Sequence, residues 1–273
     1  MKRVVPLALL ASALTSCSVE APKGLVGVYE LPDASTATPL FFLTLRIRDF
    51  KKYDAKDPTT NPDFENVPAQ GLPIPNEKGV VASTLGADDK PVYQTPDNDS
   101  PTYGQAYFDQ WFRDTPGTNY LVVYPLPISQ ASDGTYEYDS RNAGQLDTFQ
   151  GTPRRVFFPI DDGTPYATPF GNQGAPHNQD FTAELHATFT LAAPGATLRV
   201  RSDDDSYVFI DKQLVIDNGG THAALEKDLA VDDLGLTLGE DHALDLFYAE
   251  RLGATGELAI VTTFELHDLP NSQ

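Results

Sequence analysis

The sequence predicts an all-β, antiparallel fold, and three features carry the prediction. The composition holds 22 prolines, 20 glycines, 15 phenylalanines and 12 tyrosines. Short segments with period-two hydrophobicity recur along the chain, and helical spacing is confined to one short stretch. Turn formers in such numbers suit many short strands and argue against a helical bundle.

Taken in order, the first strand covers residues 40–48, where Phe41, Leu43, Leu45 and Ile47 fall on one face. Residues 51–101 form a long, loop-rich N-terminal elaboration, with Asp57-Pro58, Asn61-Pro62 and Asn76 as turn formers. A connection of that length packs over the fold or lines a binding surface. Tyr107 with Trp111, and Phe108 with Phe112, stand at helical spacing and predict a short helix. A core helix is the preferred reading of these aromatics, and a sugar-stacking platform is the alternative. From Tyr120 strands dominate, at residues 120–124, 155–158, 183–191, 197–201 and 207–210. Residues 243–248 and 258–264 alternate well enough to be two strands of one sheet. No internal repeat and no second hydrophobic span are found in the sequence.

The first residues set the compartment. Met1-Lys2-Arg3 is a basic stub, and the apolar run at residues 4–14 is too short to cross a bilayer as a mature helix. It reads as an export signal. Leu14-Thr15-Ser16-Cys17 resembles the bacterial lipobox, which implies cleavage after residue 16, acylation of Cys17 and an exported lipoprotein at the outer membrane or cell surface. Cys17 is the only cysteine, so an internal disulfide is impossible and lipidation accounts for a lone thiol in an exported chain. Residues 17–39 read as a tether, with residues 24–29 as a candidate early strand.

Removing residues 1–16 takes away Lys2 and Arg3 and no acid, leaving 17 basic against 39 acidic residues and a net charge of −22. Nucleic acid is excluded as a partner, because phosphate binding draws on clustered cations that this chain lacks. The acids solvate the surface or concentrate divalent cations.

The densest chemical signal is Arg201-Ser202-Asp203-Asp204-Asp205-Ser206-Tyr207-Val208-Phe209-Ile210-Asp211-Lys212-Gln213-Leu214-Val215-Ile216-Asp217-Asn218-Gly219-Gly220-Thr221-His222. It reads as strand, acid cluster, strand, tight turn, strand and glycine-rich loop. Adjacent carboxylates repel unless they face water or a cation. Calcium suits them, since it takes six to eight hard oxygen ligands with tolerant geometry. The bland alternative is that the acids cap loop amides. Asp217 and His222 read as structural, in a loop where Asp and Asn bond nearby amides.

This stretch resembles the sugar-binding signature of the protective-antigen-type β-sandwich domain. Further blocks resemble the fibro-slime domain: Arg48-Asp49-Phe50, Asn61-Pro62-Asp63-Phe64-Glu65, Leu85-Gly86-Ala87-Asp88-Asp89-Lys90-Pro91-Val92-Tyr93, Trp111-Phe112, Phe158-Pro159-Ile160-Asp161, His177-Asn178-Gln179-Asp180-Phe181-Thr182 and Phe247-Tyr248-Ala249-Glu250-Arg251. The resemblance implies an antiparallel β-sandwich with a fibro-slime domain over residues 40–268 and a protective-antigen-like core over 155–266. It also implies a cis peptide between Asp203 and Asp204, which hold calcium while the vicinal hydroxyls of a sugar complete the coordination. Where flocculin-like members add an Asn from a late loop, residues 250–257 have none. Glu250 or main-chain carbonyls then join Asp203 and Asp204 at the metal, and the loop around Thr255 contributes to carbohydrate binding. The hairpin at Asp211-Lys212 departs from the usual glycine and puts Lys212 at positive φ. The implied partners are a glycan or matrix polysaccharide and, through Cys17, a membrane.

Catalysis ranks below binding. The five histidines form no His-Glu-x-x-His, and no Gly-x-Ser-x-Gly, phosphate loop or dinucleotide fingerprint occurs. The sequence therefore reads as a non-enzyme. A structural or protein-interaction module of the cell envelope is the second reading. A polysaccharide hydrolase using Asp161, Asp162 and Glu184 is the third.

Overall fold

The computed structural model describes residues 39–64, 79–94, 102–149, 152–161, 164, 177–253 and 255–269. The expected signal peptide, Cys17, all but the last residue of the expected tether, and Asp162 lie outside the described residues. The elements run β1 (Phe41–Phe50), α1 (Gln105–Phe108), β2 (Asn119–Gln130), β3 (Tyr136–Asp139), α2 (Ser140–Ala143), β4 (Gln145–Phe149), β5 (Thr152–Val156), β6 (Phe181–Thr190), β7 (Thr197–Asp203), β8 (Asp205–Ile210), β9 (Gln213–Asn218), β10 (Leu225–Ala230), β11 (Asp241–Glu250), β12 (Glu257–Thr262) and β13 (His267–Asp268). A one-turn 3₁₀ helix at Val231–Leu234 joins β10 to β11. Among the described residues no helix is long and apolar enough to cross a membrane.

All described strand pairs are antiparallel; β4 and β5 form a separate two-stranded sheet, and the other strands follow one path, β10-β7-β12-β3-β2-β1-β6-β11-β8-β9, with β13 beside β6. The path folds into two leaves at β2, whose length pairs with β1 while Ser129 and Gln130 pair with β3. The main core lies between the leaves and contains Leu43, Leu45, Ile47, Leu185, Phe189, Leu198, Val200, Val208, Leu246, Leu258 and Ile260. The fold is thus the expected antiparallel sandwich. β11 and β12 are, as expected, two strands of one continuous sheet, in which β11 pairs with β6 and β8, and β12 with β3 and β7.

The N-terminal elaboration covers one outer face. Phe64, Val80, Val81, Leu85, Phe108, Trp111 and Phe112 pack on Phe50, Tyr207, Phe209 and Phe247 as a second core. Alternation explains the division, since Val208 and Ile210 face the inner core while Tyr207 and Phe209 face outward. α1 stops at Phe108, earlier than the aromatic spacing predicts, and residues 109–112 continue as turns closed by bonds such as Trp111 N–H to the Phe108 carbonyl, 2.9 Å. Trp111 is fully buried, so it is core and no stacking platform. The hairpin between β8 and β9 has Asp211 at φ 48° and Lys212 at φ 66°, the two left-handed residues of a primed turn.

The registers also fix polarity. Asp49, Phe181, Glu250, Asp205, Asp203 and Glu257 align at one pole. The beginning of β1 and the β13 strand lie toward the other, where Asp241 pairs with Thr190 and Thr262 with Leu198.

Candidate functional site

The site is built where β7 passes into β8 at the first of these poles. The Asp203–Asp204 peptide is cis, as the resemblance implies. Asp203 turns Oδ2 to the Thr255 hydroxyl, which donates at 2.8 Å, and its main-chain oxygen accepts from the Tyr248 hydroxyl at 2.5 Å. Asp204 points the other way, and its Oδ2 accepts the amides of Arg251 at 3.1 Å and Leu252 at 3.0 Å. Asp205 accepts from Arg251 Nε at 2.8 Å, from the Tyr207 hydroxyl at 2.9 Å and from the Gly220 amide at 2.6 Å. Arg251 lies over the Trp111 ring at 4.7 Å, which ties the site to the second core.

Glu250 lies at the end of β11, fully buried, with Oε2 2.7 Å from the Tyr248 hydroxyl. Its other oxygen, Oε1, has no hydrogen-bond partner among the described residues. A Cβ at Gly256 would meet Glu250 Oε2 at 2.8 Å and the Phe157 carbonyl at 2.9 Å, so a glycine there lets the late loop close on this carboxylate.

The electrostatics are those of crowded, buried acids. Burial pushes the Asp203 carboxyl up to about 6, although the Thr255 hydrogen bond works against it. Burial, then neighbouring Asp203 and Asp205, hold Asp204 well above the carboxylate range. Burial, with Asp204 and Asp203 beside it, does the same for Glu250. The buried guanidinium facing them, Arg251, is paired with Asp205. Carboxylates taken from water without a matching cation give up their charge or acquire a partner.

Calcium fits this donor set in part. Every side-chain ligand on offer is a hard oxygen, negative charge exceeds the local cation, and Glu250 Oε1 is a buried oxygen without a donor. However, among the described residues no group of three or more His, Cys, Asp or Glu side chains is arranged to hold a metal ion. The trio Asp203, Asp204 and Glu250 is therefore not a ready carboxylate cage, because Glu250 turns to Tyr248 and Asp204 to two amides. Main-chain carbonyls, water or ligand oxygens must supply the remaining positions.

The other sequence candidates fall elsewhere. Asp217 takes the amides of Gly79 at 2.8 Å and Gly219 at 3.1 Å, and His222 has both ring nitrogens 3.0 Å from the carbonyls of Asn218 and Ala223, so both are structural. Asp161 is held by His177 Nδ1 at 2.7 Å and the Asn178 amide at 2.9 Å. Glu184 is buried among Arg46, Arg48 and Lys90. Neither stands as one of a facing pair of exposed acids. Sequence reasoning missed Tyr248, Arg251, Asp205 and Gly256 as parts of the site. The third aspartate in the run and an arginine directly after Glu250 were the available signals. A cleft of about 470 Å³, lined by Tyr136, Thr190, Phe264 and His267 among others, lies toward the other pole.

The family model for the PA14 domain matches residues 166–267 of this chain. Three curated proteins of Dictyostelium discoideum are similar. psiC is 34% identical over 227 residues, covering 78% of this chain and 40% of psiC. psiD is 35% identical over 196 residues, covering 68% and 36%. psiQ is 32% identical over 222 residues, covering 78% and 21%. The chain thus spans less than half the length of these relatives. Among solved structures, the PA14 sugar-binding domain from an RTX adhesin aligns with a TM-score of 0.23 at 16% identity, covering 35% of this chain and 55% of that one. The epithelial adhesin 6 A domain of Candida glabrata, solved with Galb1-3GlcNAc, aligns with a TM-score of 0.30 at 11% identity, covering 87% and 84%.

Proposed function

We propose that this chain is a non-catalytic carbohydrate-binding or adhesion module in which calcium, held through Asp203 and Asp204, presents an open coordination position to the vicinal hydroxyls of a glycan. The observation that carries the reading is the surplus of buried carboxylate at one pole, where Asp203, Asp204 and Glu250 crowd together while Arg251 is spent on Asp205. The match to the PA14 domain over residues 166–267, which include all three of these acids, supports it. Calcium would supply charge neutralisation and a Lewis-acidic seat for hydroxyl oxygens. The chain's own part is to fix the two aspartates through Thr255, Tyr248 and the amides of Arg251 and Leu252.

In this reading residues 40–268 form a fibro-slime domain, residues 1–16 a lipoprotein signal peptide and residues 17–39 a tether from an acylated Cys17. Because β1 begins at the pole away from the aspartates, a tether entering there would present the binding rim outward from an exported, outer-membrane or surface-anchored chain. Sparse single-site affinity would be offset by many anchored copies on one polymer.

A second reading, a protein-interaction module of the envelope in which calcium only stiffens the rim, draws on the use of Asp204 Oδ2 for main-chain amides. Glycan-array binding with and without a chelator separates the two. Glycan signal that chelator abolishes supports sugar recognition through calcium. Calcium-dependent stability with no glycan signal supports the second reading.

A further inference from the structure

Away from the aspartate rim, the outer face of β6 and β11 carries a buried cluster of charges beneath the elaboration. Lys90 Nζ lies 2.8 Å from Glu184 Oε2 and 3.5 Å from His186 Nε2. His186 Nδ1 lies 2.6 Å from Asp245 Oδ1, and its Nε2 lies 3.8 Å from Glu184 Oε2. From β1, Arg48 approaches Glu184 Oε1 at 3.2 Å and Arg46 at 3.4 Å, and Arg48 also pairs with Asp114 at 2.9 Å. Lys212 forms an exposed pair with Asp89 at 2.5 Å and lies within electrostatic reach of Asp245. Lys90 belongs to the segment 79–94, whose Val80, Val81 and Leu85 cover Tyr207, Phe209 and Phe247. One margin of that segment is sewn to the β8–β9 hairpin by main-chain bonds from Leu85 to Lys212 and from Leu214 to Ser83. The β6–β11 margin is held by Lys90.

We propose that Lys90, Glu184, His186 and Asp245 form a proton-operated latch that pins segment 79–94 to the outer face of β6 and β11. With the imidazole charged, Nδ1–H faces Asp245 and Nε2–H faces Glu184, so one cation is shared by two buried carboxylates. With it neutral, Nε2 offers its lone pair to the Lys90 ammonium 3.5 Å away and gives the segment a second hold. The two acids that favour the proton, Glu184 and Asp245, stay beside His186 on β6 and β11 whether the segment is closed or open, whereas closure adds burial and the Lys90 ammonium, both of which act against the charged imidazole. The open latch therefore binds the proton better than the closed one, so closure is favoured while the imidazole is neutral and the latch loosens as pH falls through the His186 value.

Amide hydrogen exchange of the intact chain tests this, read on peptides within 79–94 at about pH 6 and about pH 8.5 and corrected for intrinsic rates. The wild type is expected to lose protection severalfold at the lower pH, and His186→Gln to show one protection level at both. Equal protection of the wild type at both pH values overturns the latch, as does His186→Gln retaining the wild-type dependence. Should His186→Gln fail to fold, Asp245→Asn serves: loosening must move to lower pH, and an unmoved transition overturns the proposal equally.

Discussion

The Tyr248 hydroxyl lies 2.7 Å from Oε2 of Glu250, and the same hydroxyl lies 2.5 Å from the main-chain oxygen of Asp203. A phenol has one proton and cannot serve two acceptors at once. Without a cation, Glu250 carries its own proton and donates it to Tyr248, which donates onward to Asp203. The upward shift of Glu250, caused first by its burial, agrees with this direction. Tyr248→Phe removes the middle of the chain and strands a buried donor on Glu250 and a buried acceptor on Asp203, so it is expected to cost about 1–3 kcal/mol, read from the urea midpoint. An unchanged midpoint would show that water replaces the hydroxyl.

Stability should depend on pH with a definite sign. Asp203 and Asp63 both have values near 6 in the folded protein, raised from 3.8 chiefly by burial. Raised values mean that their stabilising contribution is full below the ordinary carboxylate range and is lost as pH rises through about 6. In chelator, urea unfolding is expected to show the protein more stable at about pH 5 than at about pH 7.5. Glu184, lowered by His186, Arg48 and Lys90 against its burial, acts oppositely, but only below its ordinary value of 4.5. Calcium needs the ionised acids, so its affinity is expected to fall over the same descent in pH.

Glu250→Gln keeps the shape and the donor toward Tyr248 and removes the carboxyl that would ionise for a cation. In chelator its melting temperature is expected to equal or exceed that of the wild type, while the rise produced by calcium shrinks. A full calcium response in this variant would remove Glu250 from the cation's surroundings.

Gly256→Ala should be costly for steric reasons. The new methyl would sit within 2.9 Å of the Phe157 carbonyl and Phe158 Cζ, and closer to Glu250 Oε2. Overpacking of this kind costs about 1–3 kcal/mol, and chemical denaturation would measure it.

The fold was legible wherever one face of a strand is buried and the other is not. The alternation of Leu43, Leu45 and Ile47 marks β1 directly, and the Asp211-Lys212 pair marks the β8–β9 turn, where both residues take the left-handed conformation of a primed hairpin. β2 is longer than its apolar run at 120–124 indicates, since Pro125 and Pro127 interrupt the pattern without ending the strand. Alternation also cannot assign strands to leaves, so the separate partners of β11 and β12 were hidden. At the site, the aspartate run announced itself by charge. Tyr248 and Arg251 did not, because their roles arise from the pairing of β11 with β8 and from the loop that follows β11. The burial of Glu184 beneath Lys90 was likewise invisible, as the two lie 94 residues apart.

The central claim is that a divalent cation resolves the repulsion between Asp203 and Asp204. Calorimetric titration of calcium into the chelator-stripped protein, beside an Asp203→Asn, Asp204→Asn variant whose fold is verified by circular dichroism, tests it most directly. A saturable isotherm in the wild type that vanishes in the variant is the expected result. No binding heat in either protein, with no calcium-dependent change in unfolding, would contradict the account.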